Sequence, residues 1–201
     1  MARLALQVGV GGNLAGGTHH AFRSWGAGFC VFNDLAVAIC ALRREGLVDR
    51  VAVLDLDVHQ GDGTAAIFTD DSSVLTVSVH GRHNFPYQKQ ISRVDVDLPD
   101  GTGDAEYLAT LSTVLPRLWE FHPGLLLYQS GVDALAEDRL GRLAMTQNGL
   151  RERDRLVFEG ARRHHIPVAV TLGGGYAEPV ELTADAHANT FHLLASIWGS
   201  A

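Results

Sequence analysis

Asp55-Leu-Asp57-Val-His59 sets two carboxylates and an imidazole at alternate positions. On extended backbone that period of two sends all three side chains to one side. Two carboxylates and an imidazole converging at a strand end suit a divalent cation. The other reading is a strand exit with a solvated acidic face. Gln60-Gly61-Asp62-Gly63 follows directly and favours a site, because it adds a carboxylate on a tight glycine turn. His19 and His20 come after Gly16-Gly17 and before Gly26-Ala27-Gly28-Phe29, so glycine-rich loops flank them on both sides. An imidazole near a carboxylate and a metal-bound water is a good general base. Adjacent histidines are also ordinary surface residues. His164-His165, beside Arg162 and Arg163 at the end of a helical stretch, reads that way, as a solvated helix terminus.

Two further segments carry chemistry. Asp133 closes an apolar stretch through Ser130-Gly131. A buried acid there needs a partner, which a metal or a helix N-terminus could supply. Gly173-Gly174-Gly175-Tyr176 lets the backbone approach a ligand closely and ends in a phenol able to donate to an oxyanion. A glycine turn followed by a packed tyrosine is the alternative.

The elements that position these groups alternate along the chain. Val51–Asp55, Val74–Val79, Leu125–Gln129 and Val168–Leu172 are short, nearly all-apolar runs, the pattern of a parallel sheet covered on both faces. Helical stretches run from about Asp34 to Glu45, with Asn33 or Asp34 as cap, and over about 105–121, 150–164 and 183–197. The spacing predicts an α/β domain with a mainly parallel sheet. The polar groups all sit at or just past the carboxyl ends of strands: Asp55 to His59, then His80, Ser130 to Asp133, and Gly173 to Tyr176. Open α/β sheets bind ligands at that edge.

Composition narrows the function classes. The 201 residues are 46% hydrophobic and 19% charged, which fits one folded domain. A net charge of −7 argues against broad binding to nucleic acid or anionic membrane and leaves a cationic side chain open as substrate. No apolar run approaches the ~18 residues of a membrane span, and the first residues lack a signal peptide's pattern. The only cysteines, Cys30 and Cys40, exclude a disulfide framework and point to a reducing cytoplasm.

Together these segments resemble the histone deacetylase family and its bacterial relatives, the acetoin-utilisation and acetylpolyamine-hydrolase group. The resemblance rests on Gly17-Thr-His-His-Ala21, Gly28-Phe-Cys-Val-Phe-Asn-Asp34, Asp55-Leu-Asp-Val-His-Gln-Gly-Asp-Gly63, Gly131-Val-Asp133 with Asp138-Arg-Leu-Gly141, and Gly173-Gly-Gly-Tyr176, in the family's order over nearly the whole chain. Gln60, where many relatives carry a second histidine, and His80 to Pro86 before Asp100-Gly-Thr-Gly-Asp104 are most similar to the class IV branch and its bacterial homologues. The resemblance implies a three-layer α/β/α fold of the arginase/deacetylase type, with residues 1–201 as a single catalytic domain. Family domains begin well upstream of the His-His motif, so the N-terminal portion is expected to be absent here. Ala2 to Val8 reads as the end of a helix cut partway.

Carried over motif by motif, the resemblance makes Asp57, His59 and Asp133 the zinc ligands. His20 is then the general base and His19 its neighbour, partnered by Asp62 and Asp55 respectively. Tyr176 stabilises the oxyanion, and Gly28, Phe29, Phe85 and Gly174 line the substrate tunnel. A structural K⁺ site is implied at Asp55, Asp57, His59, Ser78 and Val79. The expected activity is hydrolysis of the amide of an acylated lysine or another acylated amine. The oxygen-rich ligand set would also take Fe²⁺ or Co²⁺. Two alternatives accompany this reading: a metal-holding homologue that binds without turnover, and an arginase-like ureohydrolase. Exposed apolar surface left by the missing N-terminal portion predicts self-association as a homo-oligomer.

Overall fold

A computed structural model describes residues 1–199; residues 200 and 201, the end of the expected domain, lie outside the described residues. Six parallel strands form one sheet in the order β1-β6-β5-β2-β3-β4. They are β1 (Val10–Asn13), β2 (Val51–Asp55), β3 (Val74–Gly81), β4 (Val94–Leu98), β5 (Leu125–Gln129) and β6 (Val168–Thr171). The helices are α1 (Ala2–Val8), α2 (Asp34–Arg44), α3 (Asp62–Ile67), α4 (Asp104–Glu120), α5 (Gln147–Arg163) and α6 (Val180–Trp198).

Both faces of the central strands are buried, which is why their sequences are nearly all apolar up to their carboxyl ends. In β2, Ala52 and Leu54 face a core closed by α4, α5 and α6. Val51 and Val53 face the opposite core, where α1 and α2 contribute Ala5, Leu35, Ile39 and Leu42. The result is three layers, α/β/α, around a wholly parallel ladder. Helix starts follow local chemistry. Asn33 accepts the N–H of Ala36 at 2.9 Å and caps α2, and Thr146 accepts that of Gly149 at 3.0 Å and caps α5. His164 and His165 are exposed at the end of α5, as the sequence suggests, with His164 stacked on Trp119 at 5.2 Å. Among the described residues no helix is long and apolar enough to cross a membrane.

Three local expectations are corrected. Backbone is not extended from Asp55 to His59, because β2 stops at Asp55 and the chain turns. Gly61-Asp62-Gly63 is not a bare turn either. Asp62 opens α3, whose residues Asp62 to Ala65 are buried. His80 also lies inside β3 rather than beyond it.

Candidate active site

The site grows from the two strands at the middle of the sheet. β2 and β5 run in register, Asp55 beside Gln129, and Leu56 donates its N–H to Gln129 O at 3.1 Å. Past that point each loop is tied by carboxylates. Asp55 Oδ1 accepts Asp57 N at 3.2 Å, and Asp57 Oδ1 accepts His59 N at 3.0 Å, two successive aspartate turns that fold Asp57 and His59 over the strand end. The loop after β5 crosses back, and Asp133 Oδ1 accepts Val58 N at 2.8 Å. His59 Nδ1 ends 3.0 Å from both Asp57 Oδ1 and Asp133 Oδ2. The ligand atoms of Asp57, His59 and Asp133 lie within 4.8 Å of one another.

The loop after β6 closes this group from one side. Gly174 donates its N–H to Asp57 Oδ2 at 2.7 Å. A Cβ on Gly174 would lie 2.1 Å from Asp133 Oδ2, so no larger residue fits without displacing that carboxylate.

The three groups perturb one another strongly. Asp133 is fully buried, and burial together with the Asp57 charge pushes its carboxyl up to about 7. Burial works to lower His59, but Asp133 and Asp57 outweigh it and hold the imidazole at about 10. Burial likewise works against the Asp57 carboxylate, yet His19 and His59 keep it well below the usual range. Two buried carboxylates thus share one imidazole proton. A divalent cation is the partner that satisfies two carboxylates and one imidazole nitrogen at this spacing, so the donor set fits one.

His19 and His20 flank the group, each with its own acid. His19 Nδ1 donates to Asp55 Oδ2 at 2.7 Å, and His20 Nδ1 donates to Asp62 Oδ1 at 2.6 Å. All four residues are buried. Their environments diverge. Burial opposes protonation of His19, but the charges of Asp55 and Asp57 raise it to about 9. For His20 burial dominates over the Asp62 hydrogen bond, and the imidazole is lowered. The two rings are 4.0 Å apart between centroids.

A cleft of about 540 Å³ opens onto these residues, lined among others by His19, His20, Asp57 and His59 at its floor and by Phe29, Phe85 and Tyr176. Phe29 is 90% exposed and sits at φ 64°, a conformation non-glycine residues seldom take. Phe85 lines the same cleft, its ring nearly perpendicular to that of His20 with centroids 4.9 Å apart. Gly28 lies against His20. A Cβ there would fall 2.2 Å from the imidazole, and its φ of +50° suits glycine. Tyr176 is 37% exposed, and burial plus the charges of Asp57 and Asp133 raise its phenol to about 12. It therefore keeps its proton and can donate. Ser78 is paired in register with Asp55, and its hydroxyl bonds His80 Nδ1 at 2.9 Å; Val79 beside it is buried.

Other residues that hold the site carry no obvious chemical signature. Asp34 accepts Gly17 N at 3.0 Å and Thr18 N at 2.8 Å, and so anchors the loop before His19. Gln129 donates to Gly17 O at 2.8 Å from the opposite side. Asn33 donates to Ala21 O at 3.1 Å while capping α2. Asp34 and Asn33 sit inside a recognisable motif, yet a cap is all that local sequence reveals of them.

Comparison with known proteins agrees with this geometry. Residues 4–193 match the histone deacetylase domain. The chain is 50% identical over 180 residues to an uncharacterized protein of Picosynechococcus sp., covering 89% of this chain and 60% of that one. It is 35% identical over 179 residues to histone deacetylase 2 of Arabidopsis thaliana, covering 87% of this chain and 46% of that one. The fold superposes on the acetylpolyamine aminohydrolase of Burkholderia pseudomallei with a TM-score of 0.82 at 27% identity, covering 98% of this chain and 60% of that structure. The chain thus spans 46% to 60% of the length of these relatives.

Proposed function

This chain belongs to the histone deacetylase family, and from that premise we propose that residues 1–201 act as a zinc-dependent deacylase on the amide of acyl-lysine or another acylated amine. The observation that carries the reading is the convergence of Asp57, His59 and Asp133 within 4.8 Å, with Asp57 and His59 lining a cleft that His20 and Tyr176 also line. Those three residues would hold the ion, and Fe²⁺ or Co²⁺ would suit the same donors. When bound, the cation supplies Lewis-acid polarisation of the amide carbonyl.

The chain's own groups do the rest. Asp62 occupies Nδ1 of His20, which leaves Nε2 to take a proton from the attacking water and to hand one to the departing amine. Asp55 orients His19 in the same way beside it. The Tyr176 hydroxyl donates to the carbonyl oxygen as negative charge develops there. Phe29 and Phe85 flank the acyl chain, and Gly28 and Gly174 leave room for it. By the family pattern K⁺ would sit among Asp55, Asp57, His59, Ser78 and Val79, a reading supported by the Asp55–Ser78 register.

The test is turnover of an acetyl-lysine peptide and an acetylated polyamine by zinc-loaded protein. Hydrolysis that a chelator abolishes and Zn²⁺ restores supports the reading. Metal-replete protein inactive on every acylated amine overturns it.

A further inference from the structure

Arg153 lies on α5 and is completely buried beneath the strand ends that carry the site. Its Nη1 donates to Gly131 O at 2.6 Å and to Leu56 O at 3.3 Å, and its Nη2 to Ser130 O at 3.3 Å. These carbonyls belong to two different loops. Leu56 immediately precedes Asp57, while Ser130 and Gly131 lead into Asp133. One planar guanidinium therefore spans the backbones that deliver the two carboxylates. Its donors are fixed relative to one another, so carbonyls bonded to it cannot slide apart independently.

The charge of Arg153 is used elsewhere. Its Nε donates to Asp154 Oδ1 at 2.9 Å. Asp154 is itself held by the Tyr128 hydroxyl at 2.5 Å and the Thr190 hydroxyl at 2.6 Å. The carboxyls of Asp57 and Asp133 take their shifts from burial, the histidines and each other. What Arg153 contributes to them is geometry. We infer that Arg153 is a positioning residue that sets the separation of the Asp57 and Asp133 loops, and through it the affinity of the Asp57–His59–Asp133 group for a divalent cation. This rests on the metal reading proposed above.

A buried ion pair that merely stabilised the fold would change unfolding and leave metal affinity alone. The experiment separates the two, with Co²⁺ alone as probe, because its visible absorption reports donor number and geometry. Titrations well below the melting temperature compare wild type with Arg153→Met, Arg153→Lys and Leu111→Ala, the last a truncation of a buried core side chain on α4. Arg153→Met should raise the Co²⁺ dissociation constant about 10–100-fold, the usual consequence of losing an outer partner of a metal ligand. Arg153→Lys keeps a cation beside Asp154 but loses the fork, and should still weaken binding about tenfold. Leu111→Ala should melt earlier and bind Co²⁺ as wild type does. Unchanged affinity in folded Arg153→Met overturns the inference, as does an equal loss in Leu111→Ala. If Arg153→Met does not fold, unchanged affinity in Arg153→Lys overturns it. Wild-type protein that takes up no Co²⁺ overturns the metal reading itself and this inference with it.

Discussion

Asp138 and Tyr176 are tied through one carboxylate: Asp138 Oδ2 accepts the backbone N–H of Tyr176 at 2.5 Å, while its Oδ1 accepts Leu140 N at 2.9 Å and Gly141 N at 2.8 Å. The loop that carries the phenol and the turn that brings Leu140 to the cleft wall are thereby one unit. A hydroxyl that must meet a developing oxyanion depends on such bracing, because small misplacements are costly in rate.

Asp138→Ala should accordingly lower kcat by about 10²-fold through loss of Tyr176 placement, with zinc content unchanged. Asp138→Asn, which retains one carbonyl acceptor, should recover part of it. Steady-state kinetics alongside metal analysis decides the matter, and a variant that loses zinc in step with activity would contradict the bracing role.

Tyr176→Phe removes the donor itself. Its kcat should fall about 10²–10³-fold, the usual cost of one oxyanion donor, while metal content and binding of a substrate-like inhibitor persist. A Phe variant turning over at the wild-type rate would refute the oxyanion assignment.

Base and ligands should separate cleanly. His20→Ala should abolish deacylation and still bind one equivalent of zinc, because Asp62 rather than the metal group holds that ring. Asp133→Ala should bind zinc poorly, leaving Asp57 and His59 alone. Zinc content measured on both proteins after dialysis checks this, and loss of metal from His20→Ala would make that histidine a ligand.

His187 on α6 should make the fold acid-sensitive. Its Nδ1 is buried without a hydrogen-bond partner among the described residues, and burial, with Arg153 nearby, lowers the imidazole from 6.5 to about 4 against the opposing charges of Asp154 and Asp57. Between those two values the unfolded chain takes a proton that the folded chain refuses, so stability falls as pH drops from 6.5 towards 4. His187→Leu should flatten that decline. Urea unfolding at pH 7 and pH 5 measures it, and equal losses in variant and wild type would exclude His187 as the source.

The four strands β2, β3, β5 and β6 were legible because burial on both faces forces continuous apolar runs. Strands at the sheet edges were not. β1 is Val-Gly-Gly-Asn, with one large apolar residue, and β4 alternates Val94, Asp95, Val96, Asp97 and Leu98, a pattern that a search for continuous runs passes over. α3 is hidden because Gly61 and Gly63 at its start read as a turn and its six residues are too few to show a period. At the site, Asp57, His59 and Asp133 announced themselves by residue type at strand ends, and the structure brings them together. Arg153 stayed hidden although its signal is present. Leu150, Arg153, Asp154, Val157, Phe158 and Ala161 form one buried stripe of α5, and two charges on an apolar stripe call for partners that only tertiary structure reveals.

The loops that carry Asp57 and Asp133 leave from β2 and β5, neighbours at the middle of the sheet with further strands on both sides. Amides in such central strands exchange with solvent only when the whole domain opens, unlike those of edge strands, which exchange by local fraying. The backbone from which those loops leave should therefore be among the last in the domain to open. Amide exchange should accordingly be slowest in β2 and β5 and faster in the loop that carries the exposed Phe29.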